Sequence, residues 1–130
     1  MIGRVSEQKK GVPAIDMSSI TQLAKGEQLG SAFVAELILV FLSDLSERVR
    51  AIGSQLSAGD CVGLKGTAHA IKGSCSHFGA RRLMELSADV EDRAKRQQTD
   101  SLSGAVDSML AEAERVRSAL EAFRAECVSH

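Results

Sequence analysis

Apolar residues recur at steps of three and four along most of this chain, from residue 34 to residue 127. That spacing places them on one face of an α-helix, whereas a half-buried β-strand would alternate apolar and polar positions. The pattern therefore predicts helices and no sheet. The longest apolar stripe covers about seven helical turns and comprises Val34, Leu37, Ile38, Phe41, Leu42, Leu45, Val49, Ile52 and Leu56.

Turn and capping residues divide the pattern into four long helices. Ser57-Ala58-Gly59 interrupts the first stripe, and Asp60 is a suitable N-cap for the second helix. Gly79 ends the second helix, and Asp100 or Ser101 can cap the fourth. The later stripes are Leu64, Ala68, Ile71, Cys75 and Phe78, then Leu83, Leu86, Val90 and Ala94, and finally Leu102, Val106, Met109, Ala113, Val116, Leu120, Phe123 and Cys127.

The four stripes predict an all-α fold, an antiparallel up-down four-helix bundle, because the connections between them are short. A short additional N-terminal helix is also expected. Asp16 is a suitable N-cap for this helix, and Gly26 is a natural stop. Between them, Ile20, Leu23 and Ala24 share one face.

The length of 130 residues is enough for one domain with its own core. We expect this domain to span residues 14–128. Residues 1–13 are largely polar and end at the single proline. We therefore expect a flexible leader, or a remnant of an expression vector, in that stretch.

Composition and charge exclude several classes of function. The 16 basic and 17 acidic residues leave a net charge of -1, so no overall positive field attracts nucleic acid. The chain has no apolar run long enough to cross a membrane and no secretory signal at its start, and we expect a cytoplasmic protein. The three cysteines are widely spaced with no C-x-x-C pair, which argues against a disulfide framework or a zinc site.

One histidine of the second helix points away from the predicted core. On a helical wheel of about 100° per residue, His69 lies roughly 140° from Leu64, which marks the buried stripe. Lys65, Lys72 and Ser76 lie on the same outward side, at roughly 80 to 120°. The imidazole is therefore expected in solvent, close to two ammonium groups.

Gly66 and Gly73 fall on the same face as His69, one turn before it and one turn after it. Each costs a helix about 1 kcal/mol relative to alanine, and the predicted core gives no reason for either. Because they have no side chains, they leave the surface around the imidazole unobstructed, and another protein can approach it closely. The alternative is that the helix merely tolerates two glycines.

The chemistry that suits this surface is phosphoryl transfer. A neutral imidazole is a nucleophile, and a histidine side chain in water titrates at about pH 6.5. Phosphoryl transfer needs mainly positioning and neutralisation of charge, which Lys72 and Lys65 can supply near His69. The sequence has no Gly-rich phosphate loop and no carboxylate cluster beside His69 on its own helix face, so we expect this domain to bind neither ATP nor a metal ion.

Residues 68–83 resemble the signature of the histidine-containing phosphotransfer (HPt) domains of two-component phosphorelays. That signature is an A-H-x-L-K-G-S run followed by G-A and a leucine. Ile71 stands where leucine is usual, and Glu91 only approximately matches an acidic position of the family. The helices from about Asp16 to Phe123 also fit the family's four-helix bundle with a short leading helix. The matching positions are Ala68, His69, Ile71, Lys72, Gly73, Ser74, Gly79, Ala80 and Leu83.

The resemblance implies roles for three residues. His69 would be the phosphoacceptor, Lys72 the side chain that stabilises the phosphoryl group, and Gly73 the position of close contact with a receiver domain. The domain would be a carrier without kinase machinery of its own. It would accept the group from the aspartyl phosphate of one receiver domain and transfer it to another.

The same resemblance implies the partners. These are the receiver domains of response regulators, which would supply Mg²⁺, and a hybrid sensor histidine kinase is a further candidate. We expect Lys65, Gly66, Gly73 and Ser76 to contact the docked receiver, and we expect a monomer.

Two alternatives stay open at this point. In the first, the chain is a non-catalytic helical interaction or dimerisation module, and His69 is an ordinary solvated residue. In the second, it is the phosphoacceptor domain of a chemotaxis-type histidine kinase, phosphorylated by an ATP-binding domain elsewhere.

Overall fold

The computed structural model describes residues 13–16 and 30–129. Residues 13–16 form no helix, residues 30–129 are almost entirely helical, and neither range contains a strand. A 3-10 helix, Ser76–Phe78, follows the second α-helix directly. The predicted all-α fold is confirmed. The predicted short N-terminal helix and most of the expected leader lie outside the described residues. The α-helices are α1 (Ser31–Ala58), α2 (Cys61–Cys75), α3 (Arg81–Lys95) and α4 (Thr99–Ser129).

The helices form an up-down bundle around an aliphatic core. Each packs against the next in sequence order, and α4 closes the bundle against α1. Phe41 and Phe78 make the aromatic contact of the core, with ring centroids 4.9 Å apart. Burial of each large apolar side chain stabilises the bundle by roughly 1.5–3 kcal/mol. The largest fully buried side chains are Ile38, Ile52, Leu64, Ile71, Cys75, Leu83, Val90, Val106, Met109, Val116 and Leu120.

The connection between α1 and α2 has the predicted capping residues. Gly59 adopts a left-handed conformation with φ of 69°, and its N–H donates to the carbonyl of Leu56 at 3.1 Å. The Asp60 side chain then accepts from the backbone N–H of Gly63 at 2.9 Å, which makes it the N-cap of α2. Both the break after α1 and the Asp60 cap are therefore confirmed.

The end of α2 differs in detail from the prediction. The second helix is expected to continue to Phe78, but its α-helical hydrogen bonds stop at Cys75 and the next turn tightens into the 3-10 helix. Gly79 then adopts φ of 59°, and a Cβ there would collide with the Cβ of Asp16. The N–H of Asp16 donates to the carbonyl of Phe78 at 3.0 Å. Only glycine fits this crossing.

The start of α4 also differs from the prediction. The chain turns at Gln97, which has φ of 56°, and the N–H of Gln98 donates to the carbonyl of Arg93. This compact turn lets α4 begin at Thr99, so Asp100 lies in the first helical turn. The prediction that Asp100 or Ser101 caps this helix is wrong. A carboxylate in the first turn still favours the helix, because that end carries positive partial charge.

Candidate functional site

Burial of one face of α2 fixes which of its side chains meet solvent. Leu64, Ala68, Ile71 and Cys75 are buried against the other helices. His69 consequently lies on the opposite face, and 67% of its side-chain surface is exposed. The orientation predicted from the helical wheel is confirmed.

The two glycines beside His69 have no packing role. Gly66 and Gly73 are both exposed, and a Cβ added to either would meet no atom within 4 Å. The prediction that the core does not require them is confirmed. Bare backbone therefore lies one turn away from His69 on each side.

A carboxylate of the neighbouring helix joins the two functional candidates of α2. Oε2 of Glu91 lies 2.9 Å from Nδ1 of His69, and Oε1 lies 2.9 Å from Nζ of Lys72. His69 and Lys72 are close to one turn apart on α2, so a single carboxylate reaches both. Val90 and Ala94 are buried, and their burial fixes the rotation of α3 about its axis so that Glu91 faces His69 and Lys72.

The surroundings of Glu91 favour its charged form. The ion pair with Lys72 is the largest influence and lowers the pKa of the Glu91 carboxyl below its usual value, and the hydrogen bond to His69 lowers it further. Partial burial acts in the opposite direction but is outweighed. Glu91 is thus a carboxylate at any pH where histidine titrates.

The contact with Glu91 determines which ring nitrogen of His69 is unprotonated and carries a free lone pair. An ionised carboxylate only accepts hydrogen bonds, so Nδ1 of the neutral ring must donate its proton to Oε2. Nε2 is then the unprotonated nitrogen. Within the described ranges it has no hydrogen-bond partner, and the site can use it as a nucleophile.

Sequence reasoning did not identify Glu91 as part of the site. On a helical wheel of α3, Glu91 lies roughly 80° from Leu83, at the border of the buried stripe. That position indicates a residue facing a neighbouring helix. The wheel gives no register between two helices, however, and the register is what brings residues 69 and 91 together.

The remaining candidates lie around this centre. Lys65 is exposed on α2, and it has no ion pair within the described part of the chain. Ser76 is exposed but belongs to the 3-10 helix, where its Oγ donates to the carbonyl of Gly73 at 3.1 Å. His77 is also exposed on that 3-10 helix.

The other chemistry-bearing side chains offer no second centre. Among the described residues, His, Cys, Asp and Glu form no group of three or more that could hold a metal ion. The three cysteines are free, and burial raises the pKa of the Cys75 thiol to about 12, which keeps it protonated. None of the described helices is long and apolar enough to cross a membrane.

Comparisons with known proteins agree with this geometry. Residues 36–126 match the Hpt domain family. The chain is 33% identical over 96 residues to the phosphorelay protein LuxU of Vibrio cholerae serotype O1, covering 74% of this chain and 83% of that protein. It is 32% identical over 69 residues to LuxU of Vibrio vulnificus, covering 53% of this chain and 60% of that protein.

A solved structure is similar over nearly the whole chain. It is the crystal structure of histidine-containing phosphotransfer protein B (HptB) from Pseudomonas aeruginosa PAO1, with a TM-score of 0.80 and 27% sequence identity. The similarity covers 88% of this chain and 96% of that one. Fold and sequence therefore indicate the same family.

Proposed function

Because this chain belongs to the Hpt domain family and is a phosphotransfer carrier, we propose that His69 is the residue that carries the phosphoryl group. The observation that supports this most is the state of its ring. The imidazole is largely exposed, its Nδ1 is engaged by Glu91, and its Nε2 has no hydrogen-bond partner among the described residues. This is the arrangement that a nucleophile needs.

The proposed transfer begins at the aspartyl phosphate of a receiver domain. The lone pair of Nε2 attacks phosphorus, the bond between phosphorus and the aspartyl oxygen breaks, and its electron pair leaves with the receiver's carboxylate. A second receiver takes the group by the reverse step. Lys72 stabilises the phosphoryl oxygens from one turn along α2.

The receiver docks over the bare backbone of α2. Gly73 and Gly66 allow its acidic site to come within bonding distance of Nε2, and Lys65 and Ser76 border the same surface. Such an encounter must dissociate after each transfer, and we expect a small interface.

The carrier would depend on its partners for the rest of the chemistry. We propose that it has no kinase activity of its own and that Mg²⁺ enters with the receiver. Response-regulator receivers, and a hybrid sensor histidine kinase, are the proposed partners. We further propose that the domain acts as a monomer in the cytoplasm.

The test is transfer from a phosphorylated receiver in the presence of Mg²⁺. We expect label on the wild-type chain and none on His69→Gln. His77→Gln is the matched control, because His77 is exposed only eight residues further along, and it should be labelled like the wild type. Equal labelling of His69→Gln and wild type would reject the proposal in favour of a module in which His69 is incidental.

A further inference from the structure

The N-terminal half of α2 carries two exposed side chains on the same side of the helix as His69, those of Val62 and Lys65. We propose that these two residues select the receiver: they extend the docking surface along α2 and fit a receiver that presents an apolar side chain beside a carboxylate, about 10 Å from its phosphorylated aspartate. This inference rests on the proposed role of His69 as acceptor and deepens it by naming the chemistry of the partner.

Val62 is the most exposed large hydrophobic residue in the part of the chain that the structure describes, at 80% exposure. The core takes Leu64 and Ala68 from the same stretch of α2 and leaves Val62 outside. Local structure does not require a valine here either, because Asp60 already caps the helix and a β-branched residue has a lower helix propensity than alanine. The apolar surface of Val62 is therefore available to a partner.

Val62 lies in line with His69 on the outer face of α2. Seven residues turn an α-helix almost twice, so the two side chains point within roughly 20° of each other and stand about 10 Å apart along the axis. Gly66 lies between them, and a Cβ there would meet no atom within 4 Å. A single exposed valine is ordinary on a protein surface. This valine, however, is the first side chain that a receiver would meet beyond the bare backbone at Gly66.

Lys65 provides the uncompensated charge of this half of the helix. From Cys61 to Cys75, α2 contains no acidic residue, and its lysines are Lys65 and Lys72. The ammonium of Lys72 is paired with Glu91 at 2.9 Å, whereas Lys65 is exposed and has no ion pair in the described ranges. An exposed charge of this kind attracts an acidic surface and suppresses the binding of a basic one.

The spacing of the two residues defines what a matching receiver presents. Lys65 is three residues after Val62 and four before His69, so it is one turn from each. An apolar side chain of the receiver that covers Val62 would bring a neighbouring carboxylate to Lys65 while the phosphorylated aspartate faces His69. A receiver with a lysine or arginine in place of that carboxylate would bring two like charges together and bind more weakly.

Transfer kinetics with two receivers test this proposal. From a panel of phosphorylated receiver domains with Mg²⁺, the fastest donor to the wild-type chain would be compared with one that is at least about tenfold slower. The variants are Val62→Ala and Lys65→Ala, and alanine favours the helix at both positions. Circular dichroism and thermal melting confirm that each variant folds.

Two matched controls remove the same kinds of side chain from other faces of the bundle. Val128→Ala removes a valine that is 59% exposed near the end of α4. Arg50→Ala removes an exposed cation of α1 that lines a groove between α1 and α4. Both controls should transfer like the wild type with either receiver.

With the fast receiver, we expect Val62→Ala and Lys65→Ala each to raise KM about three- to tenfold and to leave kcat unchanged, because both residues act in docking. With the slow receiver, the same variants should change KM by less than about twofold. Lys65→Ala should also flatten the rise of KM with salt concentration, since salt screens exposed charges. Val62→Ala should keep the salt dependence of the wild type.

An unchanged KM with the fast receiver would overturn the inference, and so would an equal loss with both receivers, because the residues would then not select. A fall in kcat at unchanged KM would also overturn it, since the side chain would act on the reacting group. If an alanine variant does not fold, Val62→Thr or Lys65→Gln replaces it with the same expected results. All these outcomes leave His69 as the acceptor, whereas labelling of His69→Gln by the same receivers would reject the proposed function itself.

Discussion

Nζ of Lys72 lies 2.9 Å from Oε1 of Glu91, so the ammonium proposed to stabilise the phosphoryl group is already paired before any phosphoryl group is present. Its contribution to transfer is therefore the difference in free energy between its ion pair with the phosphoryl group and its ion pair with Glu91. That difference is smaller than the free energy that an otherwise unpaired ammonium would contribute beside a phosphoryl group.

We predict that Lys72→Ala slows transfer by about ten- to a hundredfold, the range expected for loss of one hydrogen bond to a charged group. His69→Gln, which removes the nucleophile, should abolish transfer. A time course of labelling from a phosphorylated receiver measures both rates. Lys95→Ala is the control, since Lys95 is exposed at the end of α3. An unchanged rate for Lys72→Ala would assign its ammonium to solvent and to Glu91 alone.

Substitution of Gly73 should separate stability from transfer. Because a Cβ at Gly73 meets no atom within 4 Å, Gly73→Ala should stabilise the chain by up to about 1 kcal/mol through helix propensity. The same variant should slow transfer, and Gly73→Leu should slow it further, because the side chain stands between the receiver and Nε2. Urea unfolding and transfer rates check the two effects.

The control for Gly73 is Gly53, which is also exposed in mid-helix with open space around it, but on α1. Gly53→Ala should give a similar gain in stability and leave transfer unchanged. Loss of folding in Gly73→Ala would contradict the assignment of this glycine to docking.

The ion pair between Lys72 and Glu91 should make a contribution to stability that depends on pH. The pKa of the Glu91 carboxyl is held below its ordinary value in the folded chain, first by Lys72. A carboxyl with a depressed folded pKa stabilises the fold above its unfolded pKa, and this stabilisation is lost as the pH falls through the folded value.

Urea unfolding of wild type and Glu91→Gln at several pH values tests this dependence. We expect the wild type to be the more stable protein near neutral pH and the difference to shrink as the pH falls below about 4. A difference that stays constant down to strongly acidic pH would show that the carboxylate charge is not its source.

The close packing of Asp16 against Gly79 should require that residue 79 has no side chain. Gly79 is left-handed, with φ of 59°, and a Cβ would collide with Asp16. Gly79→Ala should therefore destabilise the chain by at least about 1 kcal/mol, the cost of this conformation for an L-residue. Urea unfolding measures the change, and Gly73→Ala serves as the opposite case. A gain in stability for Gly79→Ala would contradict the described turn.

Most of the bundle follows from local signals in the sequence. Apolar spacing fixes the four helices and the outward direction of His69, and Gly59 with Asp60 fixes the first connection. These features depend on residues within one or two turns of each other, which is the range over which helix periodicity and capping act.

The features that the sequence did not predict depend on contacts between distant segments. Glu91 meets His69 only because α2 and α3 pack in one particular register. The 3-10 turn after Cys75 accompanies the crossing of Asp16 at the far end of α2. The early start of α4 follows from the left-handed turn at Gln97, a conformation that non-glycine residues adopt infrequently.

The most direct test of the central proposal is to locate the phosphoryl group by mass spectrometry. The chain would be phosphorylated by a receiver domain, digested under conditions that preserve acid-labile phosphohistidine, and sequenced by fragmentation. The proposed mechanism predicts that His69 is the one modified residue, in the peptide that extends to Lys72. A phosphoryl group on His77 or on any other residue, with His69 unmodified, would contradict it.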